Sequence, residues 1–165
     1  MAVVGGVPGR PPVPAHTVQE LSAGSEPLLV QEWLARTQAL HEQLRPAIPA
    51  PYAAHLHALL AEGAHMAVLT EGSAIRALAI WRAYLTTYAG RRFYVDDLVV
   101  DEALRGQGWG GALLAWLEDK ARSLQCDTFA LDSGTQRHLA HRFYFRAGML
   151  ATAFSFAKPL QAPRA

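Results

Sequence analysis

The spacing of apolar residues changes several times along the chain, and each change predicts an element. Residues 16–21 read as a short first strand. From Ser25 onward Leu28, Leu29, Trp33, Leu34, Leu40 and Leu44 recur near the helical period, as far as Pro46. Ser25 stands where a helix cap belongs, and Pro27 falls in the first turn. The Pro-rich segment 46–51 reads as a linker. Tyr52, Leu56, Leu59 and Leu60 mark a second helix stopped by Gly63. The rhythm then becomes strand-like: 65–70 and 73–81 flank the turn signal Glu71-Gly72, 84–90 reads as a loop, and 91–100 as a third strand of the group. After a glycine-rich turn, Trp109, Leu113, Trp116, Leu117 and Leu124 form one apolar helical stripe. A short buried strand at 128–131 follows. A helix at 136–147 closes at Gly148, and 149–158 is expected to supply one or two closing strands. The expected order is β-αα-βββ-α-β-α-β, an α/β fold with a mixed central sheet and flanking helices.

Composition narrows the classes. With 165 residues, 51% hydrophobic and 18% charged, the chain is long enough to bury a core without disulfide or metal staples. Cys126 is its one cysteine, which excludes an internal disulfide and a cysteine-based zinc site and fits a reducing, cytoplasmic setting. A formal net charge of +1 argues against a nucleic-acid partner, and no apolar run is long enough to span a membrane. Residues 1–15 are rich in Gly and Pro and are expected to be a flexible lead-in and no secretory signal. Residues 16–160 are expected to form one domain.

The chemistry begins at Arg105-Gly106-Gln107-Gly108-Trp109-Gly110-Gly111, between a strand and an amphipathic helix. Glycines let the main chain approach an anion closely, and the first N–H groups of a helix are unpaired and lie at its positive end. Arg105 adds a full charge. Close packing of a strand-to-helix turn would need the same glycines. Gly106, Gly108 and Gly111 also satisfy G-x-G-x-x-G, with Asp132 about 20 residues on, as in dinucleotide-binding folds. Against an oxidoreductase of that kind, five residues separate Val100 from Gly106, and the upstream strands form a meander without βαβ units.

Arg105-x-x-Gly108-x-Gly110 resembles the R/Q-x-x-G-x-G/A pyrophosphate loop of the GCN5-related N-acetyltransferases, the GNAT superfamily. The preceding Asp97-Leu98-Val99-Val100 and the helix through Leu124 resemble that family's first motif. Residues 140–149, with Phe143-Tyr144 and Gly148-Met149, resemble its A-x-x-F-Y-x-x-x-G-F segment. The resemblance covers about residues 92–150. It implies that acetyl-CoA, as co-substrate, lies between two splayed parallel strands, with Leu98, Val99 and Val100 pairing to the pantetheine arm. It implies a pyrophosphate on the N–H groups of Arg105, Gly106, Gln107, Gly108, Trp109 and Gly110. It also implies direct attack of a primary amine on the thioester in a ternary complex. Tyr144 matches the tyrosine that protonates the leaving thiolate. Asp96 and Asp97, adjacent acids on an apolar strand, resemble the acidic pair of polyamine acetyltransferases. They are the candidates to take the amine's proton, one facing the site and the other the opposite side. Arg137 stands where many relatives carry Asn, and is a candidate for a phosphate or the substrate. No metal site is expected. The acceptor is a small-molecule or peptide amine, homodimers are frequent in the family, and a non-catalytic acyl-CoA sensor is the alternative on the same fold.

Overall fold

The computed structural model describes residues 15–160. The expected flexible segment, apart from its last residue, lies outside them. The elements run β1 (Thr17–Leu21), α1 (Pro27–Leu44), α2 (Tyr52–Ala61), β2 (His65–Glu71), β3 (Ala74–Leu85), β4 (Arg91–Val100), a single 3₁₀ turn (Glu102–Leu104), α3 (Trp109–Ser123), β5 (Thr128–Leu131) and α4 (His138–Arg146). The sheet order is β1-β2-β3-β4-β5, antiparallel throughout except that β5 runs parallel to β4. This is the expected mixed α/β class, and among the described residues the sheet is not doubly wound. The chain divides into a first compact unit ending at Leu131 and a second beginning at Asp132.

Within the first unit the sheet carries a core on each face. On one side α1 and α2 pack Val30, Leu34, Leu40, Tyr52, Leu56 and Leu60 against Met66, Val68, Leu78, Ile80 and Val99. On the other, α3 packs Trp109, Leu113, Leu117 and Ala121 against Leu69, Ala77, Ala79, Trp81, Phe93 and Val95. Each face takes alternate residues of β2 and β3, the period of two that a two-sided sheet demands. On the α3 side His65, Trp81, Phe93 and Phe129 stack in sequence at centroid spacings of 4.1, 4.5 and 5.4 Å. This aromatic row ties β2, β3, β4 and β5 together.

Three expectations are corrected. Glu26, not Ser25, caps α1: its carboxylate accepts from the Leu29 N–H at 2.8 Å, while Ser25 Oγ is used by the Ser22 N–H in the preceding turn. β3 runs to Leu85, well into the expected loop. Tyr84 and Leu85 lack inward alternation but are held by their partners Arg92 and Arg91 across the ladder. Residues 149–160 form no strand and are mostly exposed, Phe154 and Phe156 at 86% and 93%. Alternation there supplies the pattern of a strand without a partner for its main-chain groups, and the ladder is what makes a strand.

The start of β4 is fixed by a close approach. Asp127 accepts from the Arg91 N–H at 2.7 Å and returns its own N–H to the Arg91 carbonyl, setting β4 beside β5. Gly90, at φ +60°, leaves the space this requires, since a Cβ there would collide with the Asp127 carboxylate. Gly90→Ala is expected to cost about 1–3 kcal/mol, from left-handed strain and the displaced carboxylate. Urea unfolding of the variant checks this, and an unchanged midpoint would refute it.

Candidate active site

The site is built around one extra residue. β4 pairs with β3 as Val95↔Trp81 and then Asp97↔Ile80, so Asp96 has no residue opposite it. Such a bulge bends the strand and shifts its side-chain parity. Before it, Phe93 and Val95 face α3; after it, Leu98 and Val100 face α3, and Asp97 and Val99 face α1 and α2. Strict alternation would put Asp96 and Asp97 on opposite faces. The bulge instead brings both carboxylates to the α1 side. Asp96 is held by Arg82 Nε at 2.8 Å, and Arg82 alternates with Ile80, which belongs to that face.

β5 departs at the same place. It follows β4 only from Arg92↔Thr128 to Val95↔Leu131. From Asp97 to Val100, β4 keeps its ladder to β3, and among the described residues no strand lies on its other edge. An open run of N–H and C=O groups is a template for another extended chain.

Asp97 is the polar centre of the first unit. Its Oδ2 accepts from His41 Nε2 at 2.9 Å, and its Oδ1 from Arg45 Nε at 2.7 Å. An ionised carboxylate only accepts, so Nε2 of His41 carries a hydrogen. The other ring nitrogen pairs with the Tyr52 hydroxyl at 3.1 Å, which also lies 3.3 Å from Thr37 Oγ1. Thr37, His41 and Tyr52 are buried. Burial pushes the Asp97 carboxyl up, but the hydrogen bonds from His41 and Arg45 and their charges outweigh it, holding it below the usual range. Burial raises the Tyr52 phenol. Asp97, His41 and Arg45 form the polar end of a cleft of about 260 Å³, with Ala47, Ile48, Pro49 and Leu59 as apolar wall and His55 also lining it.

The glycine-rich turn follows from the end of β4. Asp101 caps the 3₁₀ turn by accepting from the Ala103 N–H, and Gln43 of α1 accepts from the Glu102 N–H at 3.0 Å. Gly106 and Gly108 adopt φ +80° and +93°, angles open to glycine. Gly108 is the N-cap of α3 and brings no side chain to its first turn. The N–H groups of Trp109, Gly110 and Gly111 therefore begin a helix with its end uncapped. Arg105 and Gln107 are exposed, and among the described residues no ion pair holds the Arg105 guanidinium. The Trp109 indole is 3% exposed in the core, so its part in a cradle is its main chain.

In the second unit, Arg137 precedes α4 as its exposed N-cap. Tyr144 lies in the last turn of α4, where Met149 N–H returns to the Tyr144 carbonyl and Gly148 N–H to that of Phe145. Burial pushes the Tyr144 phenol up, with the Arg137 charge pulling the other way. Leu98, Val99 and Val100 lie on the open edge of β4, next to Asp97.

His41, Arg45 and Tyr52 were not singled out as functional residues by sequence. The signal for the histidine was present: Val30, Leu34, Thr37 and His41 recur at helical spacing, so a histidine falls on the buried stripe of α1.

Known proteins resemble this chain in sequence and in fold. The sequence profile of the Acetyltransferase (GNAT) family matches residues 29–149. The uncharacterized N-acetyltransferase YhdJ of Bacillus subtilis (strain 168) is 32% identical over 133 residues, 79% of this chain and 93% of that protein. An aminoalkylphosphonate N-acetyltransferase of Salmonella typhimurium is 41% identical over 66 residues, 40% of this chain and 43% of that protein. A solved aminoglycoside N-acetyltransferase in complex with CoA shares the fold, with a TM-score of 0.72 at 14% identity over 90% of this chain and 96% of that one. The chain belongs to the GNAT acetyltransferase family, and is an acetyl-CoA-dependent enzyme that transfers an acetyl group to an amine.

Proposed function

We propose that the acceptor is a small primary amine, that it enters the cleft headed by Asp97, and that it attacks acetyl-CoA directly in a ternary complex. The observation that carries this is the adjacency of the cleft to the unpaired edge of β4. Asp97 belongs to the cleft, and the next three residues, Leu98, Val99 and Val100, offer main-chain groups to an extended pantetheine arm. Apolar walls and one anionic pole suit an ammonium on a short carbon stem.

The cofactor's diphosphate is assigned to Arg105, Gly106, Gln107, Gly108, Trp109 and Gly110, where helix dipole, open N–H groups and an exposed guanidinium coincide. Arg137 is a further phosphate contact. A main-chain N–H at Leu98 or Val99 polarises the thioester carbonyl and holds the oxyanion. Asp97, with Asp96 beside it, takes the amine's charge and proton. The neutral nitrogen adds to the carbonyl carbon, the C–S bond breaks, the sulfur receives a proton from Tyr144, and the nitrogen's surplus proton leaves through solvent to restore the phenol. A phenol raised by burial stays protonated at neutral pH, as a donor must. The lone free thiol Cys126 suits a cytoplasmic setting, and no nucleic acid, membrane or metal enters the reading.

Calorimetry with CoA tests the cradle. A panel containing propane-1,3-diamine, spermidine, an aminoalkylphosphonate, an aminoglycoside and an N-terminal peptide, followed by thiol release, tests the acceptor. Turnover confined to the peptide would overturn the small-amine reading. Gly108→Val is expected to raise the acetyl-CoA KM about tenfold, the weight of one hydrogen bond to a charged oxygen. An unchanged KM would remove the loop from the cofactor site. Tyr144→Phe is expected to lower kcat roughly a hundredfold, with CoA affinity by calorimetry little altered. Undiminished turnover would take Tyr144 out of the reaction.

A further inference from the structure

Asp97 has two partners of different permanence. His41 is 1% exposed and engaged at both ring nitrogens. The Arg45 side chain is 52% exposed and reaches Asp97 from the residue that closes α1, where the backbone has already left helical angles. Apart from that pair, among the described residues it keeps one long contact, 3.4 Å to the Asp96 carbonyl. Both Arg45 and Asp97 line the cleft. An anionic pole facing apolar walls is the group an alkylammonium would seek, and a guanidinium already covers it.

Resting on the acceptor site proposed above, we infer that Arg45 is a replaceable occupant of the amine subsite: the acceptor's ammonium displaces it from Asp97 while His41 stays in place. The exchange trades one cation for another on the same carboxylate, so no buried charge is left unpaired. A pair with one half-exposed partner opens at little cost. The Pro-rich segment after Arg45 supplies the wall along which the stem of the amine lies, through Ala47, Ile48 and Pro49. Displacement also changes the chemistry of Asp97. Burial pushes its carboxyl up, and Arg45 provides part of the opposing pull. With the guanidinium gone, the carboxylate accepts the ammonium's proton more readily, leaving a neutral amine whose lone pair is free to attack. Arg45 is thus a specificity-determining residue: an acceptor has to outcompete it.

Steady-state kinetics of the full chain with propane-1,3-diamine and acetyl-CoA test this. Arg45→Met keeps the carbon stem and removes the charge. Its KM for the diamine is expected to fall about two- to fivefold, the range an exposed ion pair can contribute, with the acetyl-CoA KM unmoved. Arg45→Lys retains a cation with a weaker grip, is expected to lie between, and serves where the methionine variant melts early. A diamine KM that stays level or rises in both variants overturns the inference. A readout independent of turnover is the Arg45 Nε–H resonance of the CoA-bound protein. On titration with the diamine it should shift and exchange with solvent faster, and a resonance unmoved at concentrations that saturate turnover refutes displacement. Asp97→Asn separates the two levels of argument. Wild-type diamine kinetics in that variant would bring down the acceptor site itself. Loss of diamine saturation there, with a level KM in both Arg45 variants, would bring down the displacement alone.

Discussion

Everything at the site depends on β4 holding one residue more than β3 requires. A regular strand through 93–100 would carry the parity of Phe93 and Val95 onward and set Asp97 and Val99 against α3, inside a wholly apolar core. The unpaired Asp96 turns the strand by one position, so the same sequence meets α3 with Leu98 and Val100 and meets α1 with Asp97. The shift falls where β5 ends its pairing, so one local defect does two things. It aims a carboxylate into a cleft, and it coincides with the bared main-chain edge that the next residues present. Bulges beside active sites act this way because a ladder tolerates a single extra residue more readily than it tolerates a buried, unpaired charge.

Two kinds of positive potential flank this edge, and they differ in origin. At the glycine turn the potential is structural: main-chain N–H groups at an uncapped helix start, reached because Gly106 and Gly108 adopt positive φ. Such a field is fixed at folding and needs no side-chain ordering when an anion arrives. At Asp97 the positive charge belongs to a long, half-exposed side chain, which can move. α1 contacts both regions, since Gln43 holds the Glu102 N–H while His41 and Arg45 hold Asp97. The last turns of one helix therefore set the register of the cleft and of the turn leading to the glycine loop.

The order of elements was legible from apolar spacing because the two-sided sheet and amphipathic α3 impose clear periods of two and 3.6 on the sequence. The glycine turn and the Asp96-Asp97 pair were legible because their residue types are rare in such positions. The bulge was not. It depends on how β3 and β4 align, and a pattern read along one strand carries no information about the residue opposite. His41 was missed for a related reason: a histidine on a leucine-rich stripe looks like an interruption until its partners, 11 and 56 residues away in sequence, are brought to it by packing. The extension of β3 to Leu85 and the absence of strands in 149–160 show the same limit. In one, the ladder holds residues without inward alternation; in the other, alternation finds no ladder.

The chain of Thr37, Tyr52 and His41 is costly to build. Three polar side chains are drawn into a core otherwise made of apolar residues, leucine and valine foremost, where each unpaired group would lose more than a hydrogen bond returns. A hydrophobic filling of the same volume would stabilise the fold at least as well. The difference lies in what emerges at the surface of the cleft. An apolar neighbour cannot hold a carboxylate in one rotamer, whereas a ring fixed at both nitrogens can, and it leaves the second carboxylate oxygen free to change partners. Asp97 is accordingly rigid on its buried side and exchangeable on its open side, and that asymmetry is what the proposed acceptor site requires of it: a single aspartate that remains part of the core and is open to a cation.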